Sequence, residues 1–141
     1  MNPIAAISLA ALALLANTPP AELQVELTGL RNGRGLVHAC LTQNPHHFPD
    51  CKKDPARIEQ TVPASAQRLR FSGFPPGRYA LSLIHDENSN LKLDTVMGMP
   101  REGFGFSRSP VVRFGPPKFD KVAIDLPTGL TRTSVRMQYL L

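Results

Sequence analysis

Fourteen prolines and ten glycines cut this 141-residue chain into runs too short for most helices. Proline removes a backbone donor and clashes with the preceding helical turn, and glycine loses the most freedom on ordering. Between the breaks lie runs of strand length with alternating apolar residues. Leu23, Val25 and Leu27 alternate with Gln24 and Glu26, which describes a half-buried strand over 23–27. Val37, Ala39 and Leu41 place a second strand over 36–42. The Asn32-Gly33 pair between them is a tight-turn signal and predicts that these two strands pair as a hairpin. Further strands are expected over 57–62, 67–71, 78–85, 121–126 and 131–140. The run over 78–85 is apolar on both faces, as in a central strand: Tyr79, Leu81 and Leu83 on one side, Ala80, Ser82 and Ile84 on the other. The fold class is therefore all-β, a seven-stranded sandwich.

Residues 86–120 interrupt this rhythm with no convincing strand beyond a short edge candidate over 111–114. Leu91, Leu93, Val96, Met97, Met99, Phe104, Phe106, Phe114 and Phe119 make the segment too apolar for disorder. An ordered cover over one end of the sandwich is the expectation.

The start of the chain is different in kind. Residues 1–16 carry no charged side chain, and 4–16 is a leucine-rich run of small residues. It is too short to span a bilayer and is cut off by Pro19-Pro20, so residues 1–21 read as a signal peptide and 22–141 as one domain. Ala11-Leu12-Ala13 offers a small-x-small cleavage site, with cleavage open anywhere up to Ala21. Export to the periplasm or beyond follows, with no transmembrane anchor. An oxidising compartment makes a Cys40–Cys51 disulfide reasonable, and closing so short a loop contributes roughly 2–3 kcal/mol. The rival use of Cys51 is a metal site with His46, His47 and Asp50, but adjacent histidines point apart in extended backbone. The net charge of +5 is scattered, with no stripe of cations interleaved with aromatics, which argues against nucleic acid as a partner.

Chemistry concentrates just past the central strand. Asp86, Asn88, Asn90 and Asp94 occupy positions 1, 3, 5 and 9 of a loop able to wrap a Ca²⁺-type ion, and the Lys92 carbonyl would add a fifth oxygen. The glycine and the bidentate glutamate that such a loop wants are replaced by Leu91 and Met97, so binding would be weak unless Glu102 folds back as a ligand. A left-handed Leu91 would itself cost roughly 1–2 kcal/mol. The competing reading is an ion-free loop braced by Asp and Asn side chains bonded to their own backbone. His85 at the strand end is expected to bond loop backbone, and Glu102 to pair with Arg108 or Arg113. Phe104 and Phe106 either line a ligand pocket or plug the sandwich end. With Phe114 and His85 they make up the candidate ligand or partner face. Gly-x-Ser-x-Gly, His-Glu-x-x-His and phosphate-cradling loops are missing. Asp86 and Asp94 as a carboxylate pair find no further support for glycoside chemistry.

Three ordered motifs tie these pieces together: His-Asp-Glu-Asn-x-Asn-x-Lys-Leu-Asp at 85–94, Gly-x-Pro-x-Glu-Gly-x-Gly-Phe-Ser at 98–107 and Phe-Gly-Pro-Pro-x-Phe-Asp at 114–120. With Pro75–Ala80 and the opening 27–35 stretch, they resemble a family of small exported bacterial proteins of unknown function. The resemblance covers nearly all of the chain after the leader and implies an immunoglobulin-like or prealbumin-like sandwich. Family members often carry glycine where Ser89 and Leu91 stand here. The function expected is an exported, non-catalytic binding or interaction module of the bacterial cell envelope, its partner an envelope protein or polymer. Calcium is its one candidate cofactor. The alternative is a small enzyme or ligand carrier with a pocket around His85, Asp86, Glu102, Phe104 and Phe106.

Overall fold

The computed structural model describes residues 18–91, 95, 96 and 99–141. The leader expected over 1–21 lies outside the described residues up to residue 17. The strands in chain order are β1 (Ala21–Thr28), β2 (Leu36–Thr42), β3 (Ile58–Pro63), β4 (Arg68–Phe74) and β5 (Gly77–Asp86). They continue with β6 (Thr95–Val96), β7 (Met99–Pro100), β8 (Gly103–Phe106), β9 (Ile124–Leu126) and β10 (Gly129–Arg136). A single helical turn, α1 (Phe119–Val122), precedes β9. No helix among the described residues is long and apolar enough to cross a membrane.

Eight of these strands form two facing sheets, one more than the seven expected. The smaller sheet has the order β10-β1-β4 and the larger β3-β2-β5-β8, with β9 beside the start of β5. Among the described residues β6 and β7 pair only with each other. The alternation read from the sequence sets what faces inward. Leu23, Val25 and Leu27 of β1 meet Val37, Ala39 and Leu41 of β2 and Tyr79, Leu81 and Leu83 of β5 in one buried core. Removing this apolar surface from water supplies the main drive for closing the two layers.

Three expectations need correction. First, β1 and β2 do not form a hairpin: they lie in different sheets, and the 29–35 connection crosses between the layers. β1 instead pairs in parallel with β10, Ala21 opposite Gly129 through to Thr28 opposite Arg136, and antiparallel with β4. Turn chemistry marks where a chain reverses but not which strand receives it.

Second, the 86–120 segment contains a regular strand. β8 pairs with β5, Ile84 opposite Phe104 and His85 opposite Gly103. Its Gly-Phe-Gly-Phe sequence disguises a two-faced strand. The glycines face inward, where a Cβ on Gly103 would come within 2.4 Å of the Tyr139 ring and one on Gly105 within 2.9 Å of Val135 and Met137. The phenylalanines face outward and are covered by Phe48, α1 and Val112. Residue 104 also bridges to Gln138, with N–H···O bonds of 3.0 and 2.8 Å, so the chain end joins one sheet to the other.

Third, residues 111–114 form no strand, and the apolar cover is incomplete. Phe104, Phe106 and Phe119 are buried, whereas Leu91 is 68% exposed, Val111 78% and Phe114 97%.

Cys40 on the outer face of β2 is disulfide-bonded to Cys51, with their Cα atoms 6.6 Å apart. Thr42, two residues on, donates to the buried Asp54 carboxylate at 2.5 Å, and the Ala56 amide donates to its other oxygen. Those bonds, the one from Thr42 foremost, hold the Asp54 carboxyl below its ordinary value.

Candidate functional site

β5, in the middle of the larger sheet, ends in the polar pair His85-Asp86. Strand parity sends His85 and Asp86 to opposite faces. His85 follows Tyr79, Leu81 and Leu83 into the space between the sheets and is fully buried. Its Nε2 lies 2.7 Å from the Arg34 carbonyl oxygen and its Nδ1 2.7 Å from the Tyr139 hydroxyl. A carbonyl only accepts, so Nε2 carries a hydrogen; in the neutral ring Nδ1 then accepts from Tyr139. The same hydroxyl accepts from the Arg31 amide at 3.2 Å. Burial pushes the Tyr139 phenol above its ordinary value, which keeps its proton in place.

Asp86 points to the other face and is also fully buried. Its Oδ1 accepts from the Asn90 amide at 3.0 Å; its Oδ2 accepts from the Leu91 amide at 2.8 Å and lies 2.9 Å from His38 Nε2. Asn88 Oδ1 also accepts from the Asn90 amide, at 3.2 Å. Burial raises the Asp86 carboxyl, but the bonds from His38, Leu91 and Asn90 together outweigh it, and the net displacement is downward. The braced-loop geometry is thus present at Asp86, Asn88 and Asn90. Ser89 and Leu91 take left-handed backbone, φ +56° and +64°, a region that glycine enters without steric cost. Lys92 and Asp94, the remaining loop ligands expected for an ion, lie outside the described residues. Among the described residues no group of three His, Cys, Asp or Glu side chains is arranged to hold a metal. Cys51, bonded to Cys40, is not available to His46, His47 and Asp50 as a thiolate.

The 29–35 connection clamps this loop from the side. Gly35, at φ +69°, presses its Cα against the loop so closely that a Cβ would sit 2.1 Å from the Asp86 carbonyl oxygen. Glu87 receives Arg31 Nε at 2.8 Å and Asn32 Nδ2 at 2.9 Å. Burial raises the Glu87 carboxyl, and the bonds from Asn32 and Arg31 more than reverse this. The Arg31 guanidinium also stacks 4.5 Å over the Tyr139 ring and donates to the carbonyl oxygens of Arg101 and Leu141. One arginine therefore ties the 86–91 loop, the entry to β8 and the chain terminus to one another. Buried Glu102 accepts from the Glu87 amide, whereas Arg108 reaches the Asp120 carbonyl oxygen.

The site residues expected from sequence thus divide. His85, Asp86, Asn88, Asn90 and Glu102 gather at one end of β5. Phe104 and Phe106 lie behind Asp86 on the outer face of the larger sheet, where Phe106 meets Phe48 edge-on at 5.6 Å and Phe48 meets Phe119 at 6.3 Å. An open cleft of about 350 Å³ beside this cluster is lined by Pro45, Phe48, Pro49, Phe119 and their neighbours rather than by His85, Asp86 or Glu102. Phe114 stands apart in solvent. Sequence reasoning missed His38, whose Nδ1 lies 3.0 Å from the exposed Thr61 hydroxyl, so that Thr61, His38 and Asp86 form a row across β3, β2 and β5. The available signal was parity: Val37, Ala39 and Leu41 face inward, so His38 faces outward with Cys40. It missed Arg31, Asn32 and Tyr139 because their contacts span more than fifty residues of chain.

No curated protein and no solved structure matches this chain. A family model matches residues 25–134, and the chain belongs to that family, described as "Uncharacterized protein conserved in bacteria (DUF2141)".

Proposed function

We propose that the protein is an exported, non-catalytic β-sandwich module of the bacterial cell envelope that works by binding. The observation that carries this reading is the contrast around the loop end of the sandwich. Bonded groups at buried His85 and Asp86 and at half-buried Glu87 hold the loops rigid, while Leu91, Val111 and Phe114 are left in water. Rigid loops on a β scaffold lose little entropy on binding. The apolar 1–16 run and the Cys40–Cys51 bond support an exported location. Ala21 is already buried in β1, which favours cleavage ahead of it.

We read the sandwich as immunoglobulin-like or prealbumin-like. The Tyr79 hydroxyl donates to the Pro75 carbonyl at 2.6 Å just as β5 begins, a corner found in immunoglobulin-type sandwiches. A weak calcium-type ion in the 86–94 loop belongs to the same proposal; to bind it, Asp86 would exchange backbone amides for the ion. Calorimetric titration with Ca²⁺ against an Asp86→Ala variant tests that part, and absence of heat at millimolar ion removes it. Cell fractionation tests the whole: the processed chain should be recovered with the periplasm or envelope. Recovery in the cytoplasm with residues 1–16 still attached would overturn the reading.

A further inference from the structure

The segment between β8 and α1 has an unusual surface. Val111 and Phe114 project from it, and every charged side chain over 108–118 is positive: Arg108, Arg113 and Lys118, all exposed. The acid that follows, Asp120, lies 3.7 Å from Arg78. The exposure does not come from slack backbone. Val112 donates its amide to Gln138 Oε1 at 3.0 Å, and Gln138 Nε2 donates to the Pro110 carbonyl at 2.8 Å. Ser109 Oγ accepts from the Arg136 amide at 3.0 Å. Val112 packs inward against the outer aromatic cluster, and its neighbours are thereby turned out.

An apolar tip whose own 108–118 segment carries three cations and no acid matches the interface of an anionic bilayer, where acyl chains lie beneath phosphates. A protein pocket for the same phenylalanine would be rimmed by polar groups that do not require cations alone. We propose that the 108–118 loop is a membrane-contacting finger. Val111 and Phe114 enter the headgroup boundary of an anionic phospholipid surface, and Arg108, Arg113 and Lys118 pair with its phosphates. The inference rests on the proposal that the protein works at the envelope, and it names the partner.

The chain contains no tryptophan, so Phe114→Trp places a single reporter at the tip. With the processed protein and vesicles of phosphatidylcholine containing phosphatidylglycerol, the F114W emission should shift to the blue and be quenched by brominated acyl chains. Vesicles of phosphatidylcholine alone should leave it unchanged, and salt should weaken the response. Removing Arg113 and Lys118 together (R113Q/K118Q) should lower vesicle affinity about 25-fold, at roughly fivefold per cation. Unchanged emission with anionic vesicles overturns the proposal, as does an equal response to neutral ones. A blue shift that grows with protein concentration before vesicles are added assigns the tip to a second copy instead. If the protein fractionates with the envelope while the indole stays silent, the lipid contact falls and the binding module stands. If the indole responds but the chain is cytoplasmic, the reverse holds.

Discussion

The Tyr139 hydroxyl lies 2.7 Å from Nδ1 of His85, joining the last residues of the chain to the end of its central strand. The imidazole has no solvent to fall back on, so this oxygen and the Arg34 carbonyl are what satisfy its two nitrogens.

Tyr139→Phe should therefore destabilise the fold by about 1–3 kcal/mol, the usual cost of orphaning a buried polar atom. The Arg31 amide loses its acceptor in the same variant. Urea unfolding of the two proteins measures the difference. An unchanged midpoint would mean that water enters and takes over the hydroxyl's role.

Acid should unfold the protein through three carboxylates. Asp54, Asp86 and Glu87 all titrate below their ordinary values of 3.8, 3.8 and 4.5 in the folded state. The unfolded chain thus takes up these protons at higher pH than the folded one. Their stabilising contribution is complete above about pH 5 and is lost as pH falls through 4 and below. Thermal melts across this range should show the fall, and Asp86→Asn should make it shallower. A midpoint flat from pH 6 to pH 3 contradicts the assignment.

Leu91 offers a gain. Its side chain is mostly in water while its backbone is left-handed, which costs a leucine roughly 1–2 kcal/mol and glycine little. Glycine gives part of that back through unfolded-state entropy. Leu91→Gly should stabilise the protein by about 0.5–1 kcal/mol in chemical denaturation. A loss of stability would show that the leucine packs in solution.

Gly35 offers the opposite. Any Cβ there collides with the Asp86 and Glu87 carbonyls and meets an unfavourable φ as well. Gly35→Ala should cost about 2–4 kcal/mol. Hydrogen exchange should show the damage first at the Asn90 and Leu91 amides, because the clamp on their loop is what gives way. Unaltered exchange there would separate the 29–35 connection from the loop.

Much of the fold was legible before any coordinates. The inward rows Leu23, Val25, Leu27 and Tyr79, Leu81, Leu83 follow from alternation, and the centrality of β5 from its two apolar faces. The Cys40–Cys51 bond and the loop of oxygens after β5 were also visible. β8 was hidden because its apolar residues serve one face while its glycines serve a face that has no room for side chains.

Parity and turn chemistry are local, so sequence alone determined which residues face inward and where the chain turns. Pairing is a competition among all strands at once, settled by which arrangement buries the most apolar surface with every buried donor satisfied. Only the tertiary structure could decide that β1 joins β10, that His38 of β2 reaches Asp86 on the neighbouring β5, and that Tyr139 closes on His85.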